Sequence, residues 1–113
     1  KSIAADLKLG NVYSYPNPAK SGQTPTLHIE VGQADTVEIK IFNIAAELVR
    51  TAELVNAPLT DKNSDGIFEY EYAWPATNDS GQPVASGVYI YYIKAEKAGY
   101  SPIAVLKKLV IIN

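Results

Sequence analysis

The chain has no cysteine, no methionine and a single histidine, His28. Without cysteine there is no disulfide, no thiolate metal site and no cysteine nucleophile. One histidine, with no nucleophile motif around any serine, excludes a serine-type catalytic triad. The missing cysteines assign no compartment, because exported bacterial domains often lack disulfides and cytosolic ones nearly always do. A dominant charge sign is also missing: ten Lys and Arg face twelve Asp and Glu, for a net charge of −2. No basic block neutralises phosphates, which excludes nucleic acid as a partner. No apolar run approaches the roughly 18 residues of a membrane-spanning helix. The chain opens at Lys1 with no initiator methionine and no charged-then-apolar leader, so we expect a piece of a longer precursor whose targeting signal lies upstream.

What is present is alternation. At 113 residues, 47% hydrophobic and 19% charged, the chain is long enough for one domain that buries about two-thirds of its unfolded surface. The organising stretch is Asn78–Ala95: a loop of turn formers, Asn-Asp-Ser-Gly-Gln-Pro-Val-Ala-Ser-Gly, feeding Val-Tyr-Ile-Tyr-Tyr-Ile-Lys-Ala. Period two places Tyr89, Tyr91, Ile93 and Ala95 inward and Val88, Ile90, Tyr92 and Lys94 outward. The outward trio Val88, Ile90 and Tyr92 is an apolar strip, either covered by neighbouring side chains or a candidate interface. Gly87 suits a positive φ or a close backbone approach.

Residues 1–11 read as a linker or edge segment, and 12–113 as the domain. Val12-Tyr13-Ser14-Tyr15-Pro16-Asn17-Pro18 is a stiff, extended edge crossing, since each proline holds its predecessor extended and donates no hydrogen bond. Thr26–Val31 turns Leu27, Ile29 and Val31 to one face and Thr26, His28 and Glu30 to the other. Thr36–Asn43 turns Val37, Ile39 and Ile41 inward, with Glu38 and Lys40 outward as a weak pair. The short turn at Gly32-Gln33-Ala34-Asp35 predicts that these two strands pair antiparallel. Leu48–Thr51 reads as a short strand after a turn, although Ala45–Leu48 has the composition of a helix start. Phe68, Tyr70, Tyr72 and Trp74 alternate with Glu69, Glu71 and Ala73, giving a strand with an aromatic face. The last strand, Ala104–Ile112, is apolar on both faces, and its register does not follow from pattern. About seven short strands with turn residues between them predict an all-β, immunoglobulin-like or fibronectin III-like antiparallel sandwich, its two sheets joined by aromatic residues in place of a disulfide.

Three ordered pieces carry a resemblance: Tyr15-Pro16-Asn17-Pro18; Val37-Glu38-Ile39-Lys40-Ile41-Phe42-Asn43-Ile44 with Glu47-Leu48-Val49-Arg50; and Asn78–Tyr89 followed by Lys107-Lys108-Leu109-Val110-Ile111-Ile112. In this order they resemble the immunoglobulin-like domain of the flagellar hook-capping protein and the similar C-terminal domains of secreted bacterial proteins, including sorting domains of the type IX secretion system. The resemblance covers Tyr13 to Asn113. It implies a non-catalytic C-terminal accessory module of an exported protein, secreted or at the cell surface. Its partners would be other domains of the parent protein and secretion or surface machinery. Two positions depart from the family: Trp74 is followed by Pro75-Ala76 where Trp-Asp-Gly is common, and Ala46 stands where glycine is usual.

Three groups of residues are candidates for chemistry. Asp61, Asn63 and Asp65, followed by Gly66, have the oxygen spacing of a Ca2+ loop, although Tyr72 stands where a bidentate glutamate closes such loops. The alternative is an Asx-type turn. Apart from Ca2+, no cofactor is implied. Glu69 and Glu71 share one strand face, as paired glycosidase carboxylates would, but without a pocket motif they read as a solvated outer face. The row Phe68, Tyr70, Tyr72 and Trp74 would stack on sugar rings in a carbohydrate-binding module if it faced outward, and is core if it faces in.

Overall fold

The computed structural model describes residues 10–32, 34–55 and 68–113. Among these, eight strands form: β1 (Val12–Tyr15), β2 (Ala19–Lys20), β3 (Thr26–Val31), β4 (Thr36–Asn43), β5 (Leu48–Val55), β6 (Phe68–Ala73), β7 (Gly87–Glu96) and β8 (Ile103–Ile112). They make two sheets, ordered β1-β3-β6 and β2-β8-β7-β4-β5. All pairings are antiparallel except the two-residue β2, which runs parallel to the end of β8. This is an all-β sandwich of the immunoglobulin and fibronectin III kind.

The inward faces are those that alternation assigns. Leu27, Ile29 and Val31 of β3, Val37, Ile39 and Ile41 of β4, and Tyr89, Tyr91, Ile93 and Ala95 of β7 are buried with Tyr70, Trp74, Leu109 and Ile111. Each large side chain removed from water contributes about 1.5–3 kcal/mol, enough to join the sheets without a covalent link. The aromatic groups keep their polar ends satisfied. The Tyr70 hydroxyl accepts from Ala34 N–H at 2.9 Å, and the Trp74 indole N–H donates to Thr77 O at 2.8 Å. Tyr89 packs edge-on against Trp74 at 5.5 Å and donates its hydroxyl to Ala85 O. That bond reaches back just ahead of the strand, the arrangement called a tyrosine corner in immunoglobulin sandwiches.

Three expectations are corrected. β3 and β4 do not pair: β3 lies between β1 and β6, and β4 between β7 and β5. The chain crosses from one sheet to the other here, pinned where Tyr70 bonds Ala34. Gly87 has no positive φ, and an added Cβ there would meet nothing within 4 Å. Glu69 is not solvated, being 6% exposed. Gly10 and Asn11 continue the β1 ladder through two backbone bonds to Glu30, of 2.7 and 3.0 Å.

The residues that carry the family resemblance are structural ties. The Asn17 amide donates to Lys108 O at 3.2 Å and accepts from Val110 N–H at 3.0 Å, completing the edge of β8 as a strand would. Asn43 Oδ1 accepts from the N–H groups of Ala45 and Glu47, each at 3.0 Å, closing the β4–β5 hairpin. Arg50 on β5 reaches Tyr72 Oη at 3.1 Å and Asn78 O at 3.0 Å, linking the two sheets. Asp79 pairs with the edge of β5, donating its N–H to Val49 O and accepting from Thr51 N–H.

Candidate functional site

On the outer face of the β1-β3-β6 sheet, register brings together two pairs of polar side chains that lie far apart in sequence. His28 lies opposite Glu71, and Glu30 opposite Glu69. A β-strand sends alternate side chains to the same face, so all four point the same way. His28 Nε2 stands 2.7 Å from Glu30 Oε2 and 3.2 Å from Glu69 Oε1. Its Nδ1 stands 3.0 Å from Glu71 Oε2. The Tyr15 hydroxyl donates to that same Glu71 oxygen at 2.7 Å.

This outward face is nevertheless shielded. His28 is 3% exposed and Glu69 6%. The cover comes from β1, whose Tyr13 ring stacks on the imidazole at 4.7 Å and 27°, with Tyr15 beside it at 6.0 Å. Both tyrosines remain about half exposed, so they form a lid of one layer. Burial favours the neutral imidazole, but the hydrogen bonds to Glu71 and Glu30 and the nearby charges of Glu30 and Glu69 outweigh it, and the His28 pKa is raised above 6.5. The Tyr15 pKa is raised by its bond to Glu71, then by burial and by the Glu71 charge.

Alternation alone puts His28 on the polar face of its strand and Glu69 and Glu71 on a solvated face. The signal for the cluster was the pair His-Ile-Glu and Glu-Tyr-Glu, each spaced by two, on strands that proved to be partners.

The other candidates fare differently. Asp61, Asn63 and Asp65 lie outside the described residues. Val88, Ile90 and Tyr92 do line the outer face of the five-stranded sheet, all half-buried. Val88 pairs with Val110, Ile90 lies between Phe42 and Lys108, and Tyr92 lies between Lys40 and Leu106. Leu106 is 62% exposed, so the strip stays partly open. In the aromatic row, Tyr70 and Trp74 are buried in the core, which leaves neither ring available for stacking on a sugar.

No protein-family model and no curated protein matches the chain. Two solved structures share its fold. Dimeric latent PorU from Porphyromonas gingivalis is similar with a TM-score of 0.67 and 23% identity, over 89% of this chain and 9% of that one. PorZ, a surface component of the type IX secretion system of the same organism, is similar with a TM-score of 0.59 and 24% identity, over 91% of this chain and 12% of that one. The chain thus spans about a tenth of each of these two proteins.

Proposed function

We propose that the chain is a non-catalytic immunoglobulin-like module at the C-terminal end of an exported bacterial protein, serving to sort that protein to the cell surface or attach it there. The observation that carries this reading is one of proportion: nearly all of this chain superposes on a small part of two large proteins, one described as a surface component of type IX secretion. The pieces of the sequence that carry the resemblance add support, because Asn17, Asn43, Arg50 and Asp79 tie strands together. The partners are the other domains of the parent protein and the secretion or surface machinery. The strip at Val88, Ile90 and Tyr92, rimmed by Lys40, Lys94 and Lys108, is the face on which to seek that contact.

Deleting residues 12–113 from the parent tests the reading. The truncated parent should accumulate inside the cell envelope instead of reaching the surface or medium. Unchanged delivery and attachment would refute it. The intact mass of the exported parent then separates two modes of action: loss of the segment marks a removable address, and retention marks an attachment module.

A further inference from the structure

We propose that His28, Glu30 and Glu69 form a binding site for one first-row divalent transition cation, with Zn2+ the best-suited ion. This goes beyond the sorting reading and does not depend on it.

The donor atoms converge. The ring nitrogen of His28 and one carboxylate oxygen each from Glu30 and Glu69 all lie within 4.8 Å of one another. In a tetrahedral Zn2+ site with bonds of 2.0–2.1 Å, ligand atoms are separated by about 3.3 Å. The 3.2 Å between Nε2 and Glu69 Oε1 already matches. The 2.7 Å to Glu30 Oε2 has to open by about 0.6 Å on that geometry. Glu30 has the freedom to do so, since its side chain is the more exposed of the two carboxylates, at 21% against 8%. Water would complete the shell.

The surroundings of the imidazole favour a metal as well. A ligating histidine typically donates its other ring N–H to a carboxylate, which fixes the tautomer and raises the basicity of the ligand. Here Nδ1 faces Glu71 Oε2 at 3.0 Å. When Nδ1 keeps its proton for Glu71, a cation can displace the proton on Nε2, the nitrogen that faces Glu30 and Glu69. Tyr15 holds the Glu71 carboxylate in place through its own hydrogen bond, and Tyr13 covers one face of the ring.

The imidazole nitrogen and small ligand number select a transition ion over Ca2+ or Mg2+, which take six or more oxygens.

The test is titration of the chelator-treated 113-residue chain near pH 7.5 with Co2+, followed by visible absorption, and with Zn2+, followed by calorimetry. One equivalent of each should bind, with Zn2+ displacing Co2+. Glu69→Gln and Glu30→Gln should each weaken binding strongly, while Glu71→Gln should weaken it about 10–100-fold without changing the stoichiometry. A double variant, Asp61→Asn with Asp65→Asn, should leave the Co2+ spectrum intact. If the buried Glu69→Gln variant misfolds by circular dichroism, Glu30→Gln at the rim carries the test. Absence of saturable binding, or binding indifferent to Glu30→Gln and Glu69→Gln, overturns the proposal.

Discussion

The two departures from the pattern of the domains this sequence resembles fall on backbone that disfavours an L-residue, and that makes one of them a sharp test of the hairpin geometry. Ala46 has φ 64° and Ala76 φ 57°, both left-handed. This conformation costs an alanine about 1–2 kcal/mol relative to the right-handed one, and glycine is free of the penalty. Replacing alanine by glycine also enlarges the unfolded ensemble, which offsets about 0.4–1 kcal/mol. For Ala46→Gly the balance is a gain of roughly 0.5–1 kcal/mol, because the Ala46 methyl is exposed and contributes little packing. Ala76 is half-buried against the core, so Ala76→Gly also loses methyl packing of about 0.5–1 kcal/mol and should come out near neutral. Ala45 lies one residue earlier in the same loop without a positive φ. There glycine should destabilise by about 0.5–1 kcal/mol. Urea denaturation followed by Trp74 fluorescence, with thermal melts alongside, reads all three; 1 kcal/mol corresponds to about 4–8 °C in Tm for a domain near this size. An Ala46→Gly variant no more stable than the parent, or an Ala45→Gly variant that gains as much, would refute the assigned hairpin.

Other expectations follow from the same contacts. Tyr89→Phe removes the hydrogen bond to Ala85 O and should cost about 0.5–1.5 kcal/mol in chemical denaturation; a neutral result removes the tyrosine corner as a stabilising feature. The charged form of His28 is favoured by Glu30 from its own strand and by Glu69 and Glu71 from β6, with Tyr13 of β1 stacked on the ring. Its folded pKa lies above 6.5, so its contribution is fully present below pH 6.5 and is lost as pH rises through the folded value. In chelator, stability should therefore fall across that window in the parent and not in His28→Gln, and parallel profiles would contradict the cluster. The spacing of Asp61, Asn63 and Asp65 predicts a modest rise in Tm between chelator and millimolar-scale Ca2+; an unchanged melt eliminates that loop as a Ca2+ site.

Much of the sandwich was legible because its signals are local. The side chains of Leu27, Ile29 and Val31, or of Tyr89, Tyr91 and Ile93, alternate within one strand, and their burial follows without knowledge of any neighbour. Sheet membership is different. The turn between β3 and β4 is short enough for a hairpin, yet the chain crosses between layers there, because β1 and β6 already flank β3. The polar cluster was hidden for the same reason. His28 and Glu71 are 43 residues apart and meet only through the β3–β6 register, which no pattern within either strand specifies. Their shielding depends on a third strand, since Tyr13 on β1 lies over the imidazole. The pieces that carry the resemblance were legible as a set, but their physical reason emerges only in three dimensions. The Asn17 side chain, for instance, completes an edge of β8 that lies 91 residues away in sequence.

A module that directs or anchors an exported protein, as proposed, should be sufficient to do the same for an unrelated cargo. Residues 12–113 would be fused to the C-terminus of a neutral reporter carrying a general export signal, in a bacterium that has type IX secretion, and the reporter would be measured in periplasm, surface and medium. The reporter should move to the surface or medium in strains with the system and stay in the periplasm without it. A fusion that folds, by protease resistance, yet remains periplasmic in both strains would rule out the proposed sorting or anchoring role.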